Sequence, residues 1–395
     1  MIEAPRPRLV VLATTYPRWQ GDHEPGFVHE LARRLTDRFD VVAVVPHARG
    51  ALPREVLDGV TVVRYRYAPT SLETLVQDGG ITTHLRRSPW KWLLVPGFFA
   101  MQWLTARRFA TKGSVVHAHW IVLPGIVARL LGQPYLVTSH GADLFALKGR
   151  IAMRLKRWVL RNASEVTVVS RAMVAATAYL RNGKDPVVAP MGVDLTERFT
   201  PSSATPRDPD QLLYVGRLVE KKGVDMLLQA MPKILMRRPG ARLAIVGHGP
   251  LEVALRQLAK NLSIEDSVDF VGPVPSSALP DFYRRASVFV APFRAASSGD
   301  QEGLGLVLVE ALGSGCRVVT TDVPATSDVT EGISGVFRVA AGNADEIATS
   351  VAALLDDSTE DRNCVSRSEL FERFDWRRVA ARYAGILESI RLKGA

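Results

Sequence analysis

Short runs of aliphatic and β-branched residues recur along the chain, separated by stretches whose apolar positions return every three or four residues. In the first half the runs at 8–14, 40–45, 60–67, 114–120, 135–140 and 165–169 read as strands, and a helix is expected from about Pro25 to Thr36. That alternation describes a doubly wound α/β domain. At 200–210 the chain reads TPSSATPRDPD, a Pro- and Ser-rich composition that predicts a linker. A second alternation follows, with strand runs at 211–218, 242–247, 268–272, 288–293, 317–321 and 335–339. The last segment, 376–392, has an amphipathic helical period and no strand after it. The expected organisation is therefore two Rossmann-like domains, 1–199 and 211–373, with a terminal helix over 374–395. No repeat of 20 to 50 residues is visible.

Length agrees with this division, since 395 residues exceed what one core usually holds. No apolar run approaches the roughly 20 residues needed to span a bilayer, because Pro96 and Gly97 interrupt the longest candidate, 92–103. The N-terminus reads as a first strand rather than a leader, so a cytoplasmic protein is expected. Two cysteines, Cys316 and Cys364, fit a reducing compartment and are too few for a Cys-based metal site. Net charge is +10 and uneven: between Gly79 and Ser164 there are thirteen Lys and Arg and one acid, Asp143. A field of that sign draws phosphates, acidic surfaces or nucleic acid. Nucleic acid is disfavoured, because Trp90, Trp92, Trp103 and Trp120 sit among aliphatic residues rather than in stacking pairs on a sheet.

The candidate chemistry centres on 297–319, SSGDQEGLGLVLVEALGSGCRVV. Gly303 and Gly305 open a helical stretch, and a glycine turn feeding a helix N-terminus is an anion site. Glu302 and Glu310 bracket it. At a rise of about 1.5 Å per residue they are expected roughly 12 Å apart along the axis, too far for a glycosidase pair. Separate roles are expected. The string EGLGLVLVEAL resembles the E-x7-E element of the family-4 retaining glycosyltransferases, and two α/β domains with a linker resemble the GT-B layout of that family.

Other motifs stand in the same order as in that family. Gly216-Arg217 and Glu220-Lys221-Lys222-Gly223 follow the first strand of the second half, and such a basic turn can neutralise a diphosphate. The resemblance makes Arg217 and Lys222 the diphosphate clamp. TSHGAD, with His140 and Asp143 at a strand's end, resembles the HGxD element and offers a donor to the sugar. Gly21 lies where the family's first loop meets ligand, although GDHEPG departs from the usual pair of glycines. Met191-Gly192-Val193-Asp194 is explained as a loop glycine and a capping Asp. Gly247-His248-Gly249 lacks the third glycine of a dinucleotide fingerprint. His117 and His119 could face a metal from one strand, but no third ligand accompanies them. Asp208-Pro-Asp210 imitates a metal-binding D-x-D yet lies in the expected linker.

The resemblance implies an enzyme that moves a hexosyl unit from a UDP- or GDP-sugar to a glycan or lipid-linked hydroxyl, with retention and without metal or cofactor. His140, Arg217, Lys222 and Glu302 are the implied catalytic set. Gly21, Gly216, Gly247, Val271, Gly303, Leu304, Gly305, Leu306 and Glu310 are implied around the donor. The alternatives are a sugar-nucleotide epimerase of the same fold and a non-catalytic polyanion-binding module. A third expectation concerns 150–161, RIAMRLKRWVLR, where Arg150, Arg154, Arg157 and Arg161 fall within about a 60° arc. Beside Ile151, Leu155 and Trp158, and with Arg86, Arg87, Trp90, Lys91 and Trp92 nearby in sequence, they suggest docking on the inner face of an anionic membrane. The competing expectation is an ordinary surface helix with solvated arginines.

Overall fold

The computed structural model describes residues 6–22, 26–76, 81, 84–85, 88–145, 147–356 and 367–394. The chain divides into two compact units, Met1–Met191 with Trp376–Ala395, and Gly192–Asp375.

In the first unit the valine-rich runs become strands because a parallel sheet covered on both faces buries every side chain. Its strands are β1 (Arg8–Leu12), β2 (Asp40–Pro46), β3 (Arg54–Leu57), β4 (Val60–Tyr65), β5 (Val115–His119), β6 (Tyr135–Ser139), β7 (Glu165–Val168) and β8 (Val187–Val188). Their order is β3-β4-β2-β1-β5-β6-β7-β8, parallel except for β3 against β4. β1 lies at the centre, with Leu9 beside Val41 on one side and Val115 on the other. Leu9, Val10 and Leu12 have no solvent exposure. The helix Phe27–Arg34 begins after Gly26; Pro25, the expected start, lies outside the described residues. The helix Trp376–Gly394 joins this unit through Tyr383, whose hydroxyl donates to the Ala189 carbonyl at 2.8 Å and whose ring stacks on His117.

The second unit contains β9 (Asp208–Val215), β10 (Arg242–Val246), β11 (Val268–Gly272), β12 (Ala286–Ala291), β13 (Arg317–Thr321) and β14 (Val336–Val339). All pair in parallel, in the order β11-β10-β9-β12-β13-β14. The helices Val224–Arg237 and Ala344–Asp356 pack together over one face, burying Leu227, Met231, Val351 and Leu355 with Tyr214 and Val288 of the sheet.

The 200–210 stretch is not a free linker. Asp208 already pairs with Ala286 and opens β9, its carbonyl accepts the Ser287 hydroxyl at 2.6 Å, and Asp210 holds Arg238 at 2.6 Å. Arg207 donates to the carbonyls of Ala286 and Ser314 at 2.6 and 2.5 Å. Turn-forming Pro and Asp were outweighed here by pairing with β12, since a proline is tolerated near the start of a strand. The Asp208-Pro-Asp210 string is therefore a strand entrance. Among the described residues no three His, Cys, Asp or Glu are grouped as metal ligands.

Candidate active site

In the second unit the site is built where β9, β10 and β12 end. Gly216 follows β9 and donates its N–H to the Val246 carbonyl at 2.9 Å, and Leu218 donates to the His248 carbonyl at 3.0 Å. These bonds pull the exits of β9 and β10 together. Gly247 has φ 127°, and a side chain there would run into the Gly216 carbonyl, so glycine is required by approach as well as by conformation. The Tyr214 hydroxyl donates to the Arg217 carbonyl at 3.1 Å and fixes that turn. A single 3-10 turn, Glu220–Lys222, then ends in Gly223 at φ 66°, pressed against the Pro292 carbonyl at the end of β12.

That turn is clasped to the loop after β12. Ser297 donates its N–H and hydroxyl to the Glu220 carboxylate at 2.8 and 2.9 Å. Lys221 reaches Asp300 at 3.2 Å and the Gln301 carbonyl at 3.1 Å. Arg294 pairs with Asp225 at 3.0 Å and donates to the Glu220 carbonyl at 3.1 Å. Lys222 lies 2.8 Å from Glu302 and 4.7 Å from the Phe293 ring centroid. The two motifs, separated by about eighty residues, thus meet cation to carboxylate.

The helix expected after the glycines runs Leu306–Gly313, its start set by Gly305 at φ 83°. Glu302 stands before it, so the axial spacing drawn from helix rise does not apply. The separate roles are instead visible in their surroundings. Burial would raise the Glu302 carboxyl, but the ammonium groups of Lys222 and Lys221 outweigh it and hold the acid at about 2. Glu310 keeps some contact with solvent, yet the protein packed around it removes the water that would stabilise its charge. Burial raises it to about 7, against the lowering effects of the Tyr283 bond, Arg198 and Lys222. Tyr283 donates to Glu310 at 2.8 Å. Leu304 is buried beside this turn, and Val271 stands in β11.

In the first unit His140 follows β6, and its loop is tied by Asp143. That carboxylate accepts from the Ile121 N–H at 2.8 Å, the Ser139 hydroxyl at 2.9 Å and the His140 N–H at 3.1 Å. Asp143 therefore shapes the loop that presents His140. His119, ending the neighbouring β5, places its Nδ1 3.0 Å from His140 Nε2, with the rings nearly parallel. His140 thus lies alongside His117 and His119 through strand adjacency rather than sequence spacing, but among the described residues the three are not grouped as metal ligands. Burial lowers His140 and His117 to about 3 and drives His119 well below its ordinary value. All three are neutral at pH 7. Gly21 has φ 80° in the loop after β1, where Asp22 accepts from the backbone and guanidinium of Arg18. Asp194 accepts from the Glu197 N–H at 2.9 Å, as a capping residue should.

The helix Arg150–Asn162 presents two faces. Arg150, Arg154 and Arg161 are exposed and Ile151 is 75% exposed, whereas Val159 and Leu160 are buried. The guanidinium of Arg157 lies over Tyr179, and that of Arg129 over Trp158. Trp90, Trp92 and Leu93 are 50%, 58% and 82% exposed on a turn that also carries Lys91. Arg86 and Arg87 lie outside the described residues. No helix of the described residues is long and apolar enough to cross a membrane.

Two functional neighbours had no clear local signal. Tyr283 sits in an unremarkable helix, 27 residues before Glu310. His119 could have been paired with His140 from the adjacency of successive strands, since each stands where its strand ends.

Comparison with known proteins agrees with this geometry. Residues 27–192 match the "Glycosyl transferase 4-like domain" family and residues 196–370 match "Glycosyl transferases group 1". The GDP-mannose-dependent alpha-(1-6)-phosphatidylinositol monomannoside mannosyltransferase of Mycolicibacterium smegmatis is 33% identical over 289 residues, covering 69% of this chain and 74% of that protein. A glycogen synthase of Mycobacterium tuberculosis is 29% identical over 303 residues, covering 70% and 68%. Sucrose-phosphate synthase from Thermosynechococcus elongatus superposes with a TM-score of 0.78 at 20% identity, over 98% of this chain and 100% of that one. Anabaena HepE in complex with UDP and glucose superposes at 0.71 and 17% identity, over 97% and 100%. The chain belongs to the group 1 glycosyl transferases and is a glycosyltransferase of GT-B fold.

Proposed function

We propose that the enzyme transfers a hexosyl unit from a UDP- or GDP-sugar to a hydroxyl of a lipid-linked or glycan acceptor, with retention and with cations of its own in place of a divalent metal. The reading rests on one observation above the others: Lys222, held 2.8 Å from Glu302 beside a glycine-opened helix N-terminus. As the bond between the anomeric carbon and the diphosphate breaks, negative charge grows on the leaving phosphate. Arg217, Lys222 and the backbone N–H groups at Leu306 are the donors suited to receive it. The acceptor oxygen bonds to the anomeric carbon on the face the diphosphate leaves, and its proton passes to the departing phosphate. Glu302, ionised and paired, keeps Lys222 oriented. Gly21, Gly216, Gly247, Val271, Gly303, Leu304 and Gly305 would let the donor approach, Glu310 would accept from the ribose hydroxyls of the nucleotide, and neutral His140 would donate to a sugar hydroxyl.

The lipid-linked acceptor draws support from the named acceptor of the mycobacterial relative and from the exposed surface of the first unit. Trp90, Trp92 and Leu93 beside Lys91, and Ile151 beside Arg150 and Arg154, combine interfacial apolar groups with cations, each worth about 1 kcal/mol at an acidic leaflet. A non-catalytic module is set aside by membership of an enzyme family.

The test is incubation with UDP- and GDP-sugars, with and without EDTA, in the presence of phosphatidylinositol-containing vesicles or oligosaccharides. Acceptor-dependent release of UDP or GDP that survives EDTA is expected. A changed donor sugar without release would identify an epimerase, and rescue of an EDTA-treated sample only by magnesium or manganese would overturn the metal-free reading. In flotation the protein should rise with phosphatidylglycerol vesicles and not with neutral ones. Trp90→Ser with Trp92→Ser should abolish this, and equal recovery from both vesicle types would overturn the docking surface.

A further inference from the structure

We infer that Tyr283 is a positioning residue for donor binding: its hydroxyl holds one oxygen of Glu310, so that the carboxylate is presented in a fixed orientation to the diol of the nucleotide's ribose. The inference rests on the reading of Glu310 as a donor-binding carboxylate.

Tyr283, on the helix Leu279–Arg285, is completely buried, and its hydroxyl lies 2.8 Å from Glu310 Oε2. The ring is wedged edge-on against Phe199 and tilted on Phe289, with centroids 5.8 and 5.5 Å away. Its backbone is held as well, because its carbonyl accepts the Cys316 thiol at 2.7 Å and an Arg207 N–H at 3.2 Å. A side chain fixed at both ends is not free to follow the carboxylate, so the carboxylate conforms to it. Burial first, then the adjacent carboxylate, pushes the phenol well above its ordinary value. The proton therefore stays on Tyr283, and towards the ionised carboxylate the bond has one direction. A diol binds best to a carboxylate that is both ionised and oriented, since a protonated acid loses acceptor capacity.

The other groups facing Glu310 cannot substitute for this contact. Arg198 acts from a distance, its guanidinium occupied by the Ser276 carbonyl and hydroxyl at 2.7 Å each. Lys222 is paired with Glu302. The helix Arg367–Phe374, packed on Leu306–Gly313, carries Arg367, which donates to the Gly313 carbonyl, and Cys316 turns its thiol to Tyr283.

The experiment uses the full chain and calorimetric binding of UDP and GDP between pH 6 and 9, with kcat measured at saturating donor. For wild type, affinity should rise several-fold through a midpoint near 7, the value to which burial raises Glu310. Tyr283→Phe keeps the ring and removes the donor. It should weaken nucleotide binding at pH 7 by about five- to tenfold and move the midpoint upward, because the lost bond favoured the ionised acid; kcat should stay within about twofold. Superimposable binding curves for wild type and Tyr283→Phe, or a loss of kcat with an unmoved midpoint, would overturn the inference. Glu310→Gln separates the two layers. If it leaves nucleotide affinity untouched, the ribose assignment of Glu310 fails. Positioning is then read from the carbon-13 titration of the Glu310 carboxyl, which must still move upward in Tyr283→Phe; an unchanged titration overturns it.

Discussion

Where β5 and β6 end, His119 and His140 share a hydrogen bond and, among the described residues, no carboxylate pairs with either ring; where β9 and β12 end, Lys221 and Lys222 face Asp300 and Glu302 at 3.2 and 2.8 Å. Both regions are poor in water, but they resolve the cost of burying a titratable group differently. Without an opposite charge the imidazoles give up their protons, whereas the paired groups keep their charge because each meets its complement at bonding distance. The same contrast recurs within one loop and helix of the second unit. Glu302, paired with lysine, is held at about 2, while Glu310, whose bonding partner is a neutral phenol, is raised to about 7. Neighbours, more than burial alone, decide which groups are available as charges and which as neutral donors or acceptors.

The largest expected effect comes from breaking the charged region. Lys222→Ala removes a cation from the leaving diphosphate and strands Glu302 in a nearly buried site, so kcat at saturating donor should fall about 100-fold, near 2.7 kcal/mol of barrier. The rate of nucleoside diphosphate release measures it, and a loss below threefold would end the clamp assignment.

The neutral region predicts a smaller loss and a distinctive pH profile. His140→Ala should lower kcat about tenfold, the scale of one lost donor in a shielded site. In wild type the depressed imidazole stays neutral well below pH 6, so kcat at saturating donor should be flat between pH 8 and 5.5 as far as this residue is concerned. An acid limb centred near 6.5 that disappears in His140→Ala would mean that the ring is charged in the working enzyme.

The smallest effect sharpens the comparison at its margin. Glu220 clasps Ser297 from an exposed position, and Glu220→Gln retains one acceptor oxygen. A loss of about threefold in kcat/KM, without change in the EDTA response, is expected for loosening a surface bond. A hundredfold loss would place Glu220 among the groups touching substrate.

Much of this was readable in one dimension. The valine-rich runs marked most strands to within two residues, because a buried parallel strand must be apolar throughout. β3 and β8 carry no such mark: REVL is short, charged at its start and antiparallel at a sheet edge, and Val187–Val188 is too brief to carry a period. The entrance to β9 departs from its local pattern for the opposite reason. Asp208-Pro-Asp210 has the chemistry of a turn, and only the partner strand β12, nearly eighty residues away, makes it extended.

The sequence by itself determined the two alternating α/β halves, the glycines that admit close backbone approach, and the order of acidic and basic motifs that places the chain in its family. Those are local matters, fixed by side-chain period, by the absence of a Cβ and by charge type. Tertiary structure alone decided that Lys222 would neutralise Glu302 and that Tyr283 would hold Glu310. Each of these depends on which strand ends and helices are neighbours, and on how much water their packing excludes, and neither quantity is carried by any single stretch of chain.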